Sequence, residues 1–297
     1  MKNGKRNDGM RGKHAEEKCD TRAADHLSNY LLTVAYDGSG FCGWQSQQNG
    51  GRTVQDELTR IAKAVFKQDV KMEASGRTDA GVHATGQAVS FLIHAKIRPD
   101  KVKRVLNHSL PGDIRIVSAR QVPMDFHARY NSVGKTYVFK IIQSPDVDVF
   151  RSRYYHYVSK PIELEKMRKA AAYFIGTHDF VNFSASNHGK KSTIRTIHTL
   201  EISEYVLPAR EQLCDAAEGF GGDVQDDARE SRVIEIRVSG NGFLWKMVRM
   251  IAQTLIDVGT GSIEASAVKG MFKMKNRRKE AAPACGLYLE EVGYELL

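Results

Sequence analysis

Cysteine is scarce in this 297-residue chain: there are four (Cys19, Cys42, Cys214 and Cys285), widely scattered, with no C-x-x-C pair. That argues against a disulfide framework and supplies no zinc-site spacing, so a reducing cytoplasm fits. No run of apolar residues is long enough to span a bilayer. The first residues are rich in Lys and Arg but are interrupted by acids and lack an apolar core. They predict a poorly ordered basic tail over residues 1–27 rather than a secretory signal. Acidic residues are in deficit, 35 against 44 Lys and Arg, for a formal net charge of +9. Basic side chains gain affinity for phosphate backbones by releasing condensed counterions, so a polyanionic partner is favoured but not identified by charge alone.

What is present is the composition of a soluble globular protein, 41% hydrophobic and 27% charged. Tyr30–Tyr36 is rich in β-branched and aromatic residues and stops at Asp37-Gly38, which predicts a strand entering a turn. Thr53 is placed as a helix N-cap before Val54, Leu58, Ile61, Ala62, Val65 and Phe66 at helical spacing. Further strands are predicted over Val70–Ser75, Gln87–Ile93, Ile114–Val122, Thr136–Ile142, Ile194–Val206, Arg232–Val238 and Cys285–Tyr294. Further helices are predicted over Pro99–Ser109, Pro161–Ile175 and Phe243–Val258. Strands and helices do not alternate regularly, so the fold class is α+β with antiparallel sheet rather than doubly wound. The division is an N-terminal unit over residues 28–127 and a C-terminal unit over 128–297, with a surface insertion at about 208–231 that is rich in Gly, Asp and Glu.

The segment Gly76-Arg77-Thr78-Asp79-Ala80-Gly81-Val82-His83 places a cation, a hydroxyl and a carboxylate between two glycines. A carboxylate held this way can act as nucleophile or general base, with the cation keeping it ionised. For an isolated Asp-Ala-Gly the ordinary reading is a turn in which the aspartate caps local amides. A metal pair of Asp79 with His83 finds no third ligand at helpful spacing, and a metal-dependent hydrolase is the weaker alternative.

The longer string is less generic. G-R-T-D-A-G-V-H-A, followed by Gly86-Gln87, resembles the active-site motif of the TruA family of tRNA pseudouridine synthases. The resemblance recurs in Tyr36-Asp37-Gly38 with Phe41-Cys-Gly-Trp-Gln45 and Arg52–Leu58, in Phe126-His-Ala-Arg129 with Lys135-Thr-Tyr137, in Asn241–Arg249, and in Ala282–Leu289. It covers the chain from about Tyr30 to the end, apart from the insertion.

The resemblance implies two ferredoxin-like, RRM-like halves that form one extended, mixed but mainly antiparallel sheet, with the active site in the cleft between them. It implies isomerisation of uridine to pseudouridine in the anticodon stem-loop of tRNA, at tRNA positions 38–40, with Asp79 as nucleophile and no cofactor or metal. Tyr137 matches the family's active-site tyrosine; its alternative reading is a sheet-core residue beside Phe139 and Ile141. Arg249 matches the arginine that pairs with the aspartate, although its position off the helix's apolar centre is ordinarily a solvated one. Arg77, His83 and Arg129 are the further substrate-binding candidates, Arg77 for the space a flipped uridine leaves or for its phosphate. The partners implied are tRNA and a second copy of the chain in a homodimer. Arg98, Lys101, Lys103 and Arg104 are candidates for phosphate contact. A non-catalytic tRNA-binding protein on the same fold is the alternative function.

Overall fold

The structure is a computed structural model that describes residues 26–48, 50–185, 192–207, 231–273 and 280–295. Most of the expected basic tail and the expected insertion, residues 208–230, lie outside the described residues. The first strand, β1 (Leu27–Tyr36), alternates its side chains across the sheet: Tyr30, Leu32, Val34 and Tyr36 enter the main core, while Leu31 enters a small cluster on the other face. Helix α1 (Val54–Phe66) begins where the sequence places it. Thr53 has extended backbone angles and its side chain accepts from the Asp56 amide, satisfying one of the free donors of the first turn. Val54, Leu58, Ile61 and Ala62 make the buried stripe.

The remaining elements are β2 (Glu73–Ala74), β3 (His83–His94), α2 (Pro99–Ser109), β4 (Ile114–Val122), β5 (Ser132–Gln143), β6 (His156–Val158), α3 (Leu164–Ala171), β7 (Gly176–Asp179), β8 (Ile194–Leu207), β9 (Ser231–Gly240), α4 (Met247–Gly259), α5 (Ala267–Met271) and β10 (Leu287–Tyr294). Among the described residues, ten strands form one sheet with the main order β4-β1-β3-β10-β5-β9-β8-β7. All its pairings are antiparallel except β3 with β10 and β5 with β6. The α+β class with a mixed, mainly antiparallel sheet is therefore the observed architecture.

The last strand joins the early and late parts of the chain. β10 lies parallel to β3 at His83 and Ala84 and antiparallel to β5 along its length. Gly86 permits this approach, because a Cβ there would stand 2.0 Å from the Glu290 carbonyl oxygen. Beyond that point β2 takes over the same edge of β3, pairing at Val89 and Ser90. The sharing explains two departures from expectation. β3 starts at His83 rather than Gln87, and the strand expected over Val70–Ser75 shrinks to two residues. The main core is continuous across both parts, uniting Leu58 and Leu106 with Tyr137, Met167 and Leu255. The opposite face of the early strands is covered by Val122, Phe126 and Ala128. Across the 208–230 segment, Leu207 and Ser231 are register partners, so the chain leaves and re-enters the sheet at one place.

The expected helix over Phe243–Val258 starts four residues late. Phe243, Leu244 and Met247 continue the apolar spacing, but Lys246 adopts the left-handed region (φ 59°) and the helix begins only at Met247. Tertiary contacts override the period: Phe243 packs edge-on against Tyr137 and Leu244 is buried in the core. Among the described residues, no helix is long and apolar enough to cross a membrane.

Candidate active site

Asp79 lies in the loop between β2 and β3, and backbone contacts fix that loop. The Trp44 amide donates to the Thr78 carbonyl (3.1 Å), and the Gly81 amide donates to Phe41 O (3.3 Å). Gly43, at φ 96°, has its back against the loop, where a Cβ would stand 2.7 Å from Thr78 O. Gly81, at φ 77°, makes the turn out of the loop. Thr78 points inward and shares a 2.8 Å hydrogen bond with the Tyr36 hydroxyl. The 41–45 segment is thus the support of the Asp79 loop.

Two side chains from the far end of the chain converge on the carboxylate. Arg249, in the first turn of α4, brings Nη1 to 3.6 Å from Asp79 Oδ2. Its Nε donates to Ala282 O (2.6 Å), and the Ala282 amide returns a bond to the Arg249 carbonyl (3.0 Å). Its side chain is only 14% exposed, so the position off the helix's apolar centre faces a protein cleft and not solvent. Trp245, absent from the residues that the sequence singles out, donates its indole N–H to Asp79 Oδ1 at 2.9 Å. A helix drawn through residue 245 conceals this contact. The signal available in the sequence is only a large aromatic within the Asn241–Arg249 motif.

Tyr137 stands on β5, buried, edge-on to Phe243 with ring centroids 5.2 Å apart. Burial raises its phenol well above the ordinary tyrosine range, and the charges of Tyr36 and Asp79 act in the same direction. The hydroxyl is therefore neutral at physiological pH. Lys135, two residues earlier on the same strand, lies across Gly76, with its Cε 3.1 Å from where a Gly76 Cβ would be. Burial pushes its ammonium below the usual lysine value, and Arg129 adds to the shift. Arg129 is exposed, with its guanidinium 5.8 Å from the Tyr130 ring centre. Arg77 is exposed and has no hydrogen-bond or ion-pair partner among the described residues.

His83 is placed differently from the other candidates. It is 1% exposed and stacks on Tyr288 at 4.7 Å. The Gly38 amide donates to Nδ1 (3.1 Å), which leaves the proton on Nε2 to donate to Arg153 O (2.9 Å). Nδ1 also lies 3.3 Å from Asp37 Oδ1, but a nitrogen that accepts from an amide carries no proton, so this is not an ion pair. Burial, the largest influence, keeps the ring's pKa below its ordinary value despite Asp37. Both nitrogens are used within the chain, and Asp79 and His83 face different partners. Of the phosphate-contact candidates at the start of and along α2, Lys103 donates to Val117 O (2.6 Å), and Arg98, the residue before the helix, bonds Asp100 (3.3 Å). Lys101 is exposed and has no side-chain partner among the described residues.

Residues 32–131 and 170–295 match the family described as tRNA pseudouridine synthase. The chain belongs to the tRNA pseudouridine synthase family. It is 37% identical over 270 residues to a tRNA pseudouridine synthase A 2 of Bacillus cereus, covering 90% of this chain and all of that protein. To the tRNA pseudouridine synthase A of Ruminiclostridium cellulolyticum it is 40% identical over 266 residues, covering 89% of this chain and 98% of the relative. To that of Acetivibrio thermocellus it is 37% identical over 272 residues, 90% of this chain and the whole of the relative. The family match includes the Asp79 loop, Trp245 and Arg249.

Proposed function

We propose that this chain, as a family member acting on tRNA, isomerises uridine to pseudouridine in the anticodon stem-loop, at tRNA positions 38–40, with Asp79 as the nucleophile. Residues 28–127 supply the Asp79 loop, and residues 128–297 supply its partners. Assembly as a homodimer in the cytoplasm belongs to the same reading. The observation that carries the proposal is the convergence of Arg249 and Trp245 on one carboxylate, from about 170 residues away in sequence, beside a buried tyrosine.

The chemistry asks for those groups. The C1′–N1 bond of the target uridine breaks, the uracil turns, and a C1′–C5 bond forms while C5 loses its proton and the freed N1 gains one. Nothing is consumed, so no oxidant, reductant or metal is needed for the atoms to balance. A carboxylate can stabilise or trap the ribosyl centre during the interval between bonds. Arg249 holds that carboxylate through charge and is itself held by Ala282. Tyr137 meets the uracil with its ring first. A neutral phenol donates a hydrogen bond, and it can relay the C5 proton only if a second group accepts its own. Arg77, exposed beside the nucleophile, and the Arg129–Lys135 pair supply cationic groups for the phosphates around an extruded nucleotide.

The test is release of tritium from tRNA labelled at C5 of uridine. Wild-type protein is expected to release it and Asp79→Ala to release none. No release from wild type with any tRNA overturns the proposal.

A further inference from the structure

Trp44 and Trp245 are the chain's two tryptophans, and they occupy opposite environments. Trp44 is 1% exposed beneath the Asp79 loop, whereas Trp245 is 47% exposed. The exposure of Trp245 is fixed by the chain rather than incidental. Its carbonyl accepts from the Ala185 amide (3.1 Å), and Lys246, in the left-handed region, turns the backbone between Trp245 and the helix that carries Arg249. The indole is anchored at one end, through Nε1–H to Asp79 Oδ1 at 2.9 Å. The Lys246 ammonium stands 5.2 Å from the ring centre, adding positive charge beside the aromatic surface. An aromatic ring held at a nucleophile, partly open to solvent and flanked by a cation, is the arrangement by which proteins stack unpaired bases without reading their edges.

We infer that Trp245 both positions Asp79, through its indole N–H, and contacts substrate, by stacking its exposed ring on a base of the bound RNA. The inference rests on the proposed synthase reading, in which an extruded uridine is brought to Asp79. The two roles are separable. A hydrogen bond that orients a reacting carboxylate matters in the transition state and appears in kcat, whereas a stacking surface contributes to binding and appears in KM.

Trp245→Phe keeps a ring and removes the donor; it is expected to lower kcat about tenfold with KM within about twofold of wild type. Trp245→Ala removes both and is expected to lower kcat similarly and to raise KM roughly tenfold. Thermal melting of both variants checks that the fold is intact. Binding gives an independent readout, because base stacking quenches indole emission. Saturating tRNA is expected to quench the wild type strongly and Trp245→Phe, which retains only the buried Trp44, far less. Equal quenching in the two proteins, or a Trp245→Ala variant with kcat and KM unchanged, overturns the inference while wild-type tritium release leaves the synthase reading standing. Absence of release by wild type overturns both.

Discussion

The two sides of the site are constructed by different means. On the Asp79 side, position is set by backbone against backbone: Trp44 to Thr78, Gly81 to Phe41, and Gly43 with its back to Thr78 and Asp79. On the facing side, position is set by single side chains, Trp245 and Arg249, each reaching one carboxylate oxygen. A backbone cradle fixes a carboxylate without committing side chains to it, but it leaves no room for substitution at the glycines. Side-chain partners can be altered one functional group at a time with the surrounding fold retained. The geometry around Asp79 should therefore break with the fold on one side and without it on the other.

The largest expected effect is on the backbone side. In Gly43→Ala the new methyl group would stand 2.7 Å from Thr78 O at a φ of 96°, so the Thr78–Asp79 backbone must move. The combined strain and loss of the Trp44–Thr78 bond is expected to cost about 2–4 kcal/mol of stability, lowering Tm by roughly 5 °C or more. Tritium release should fall at least about 100-fold at the same time, because a displacement of about 1 Å at a reacting group is that expensive. Full activity with an unchanged Tm would show that the cradle does not set the position of Asp79.

The facing side should separate the two effects. Arg249→Gln removes the charge opposite Asp79 but leaves the helix and its buried apolar stripe. It is expected to lower kcat roughly 100-fold, or about 2.7 kcal/mol, with a Tm change of no more than about 2 °C. A large fall in Tm with only a small fall in kcat would make Arg249 a structural residue that happens to lie near the carboxylate.

The same contrast decides what can be read in the sequence. Elements that carry their own local signal are legible: Thr53 as a cap, Pro99 as the first residue of α2, and the span of β4 all stand where the sequence places them. The resemblance leads to Asp79, Tyr137 and Arg249, and the fold brings Arg249 to Asp79 and sets Tyr137 close enough to feel its charge. What is not legible depends on contacts between distant segments. The helix boundary at Lys246 is set by where Phe243 and Leu244 pack, so Trp245 is hidden inside an apparently regular apolar period. The short strands β6 and β7 exist through pairing with β5 and β8 and have too few residues to show a period of their own. His83 sits in a motif that suggests a ligand contact, but its burial follows from Tyr288 and Arg153, which no local pattern connects to it.

That burial gives the smallest and most specific test of the cradle. His83 is kept neutral in the folded chain, with its pKa below the ordinary 6.5 mainly because it is buried. The unfolded chain binds the proton more readily than the folded one does. The contribution of His83 to stability is therefore fully present above pH 6.5 and is lost as pH falls below that value through the folded pKa. His156, also shifted downward by burial, contributes in the same sense and remains in a His83 variant, so the difference between proteins is the useful quantity. Between about pH 7.5 and about pH 5.5, wild type is expected to lose roughly 2 °C more in Tm than His83→Gln. Identical pH dependence in the two proteins would mean that protonation of this ring is not resisted by the fold, and that the Gly38 amide does not require its lone pair.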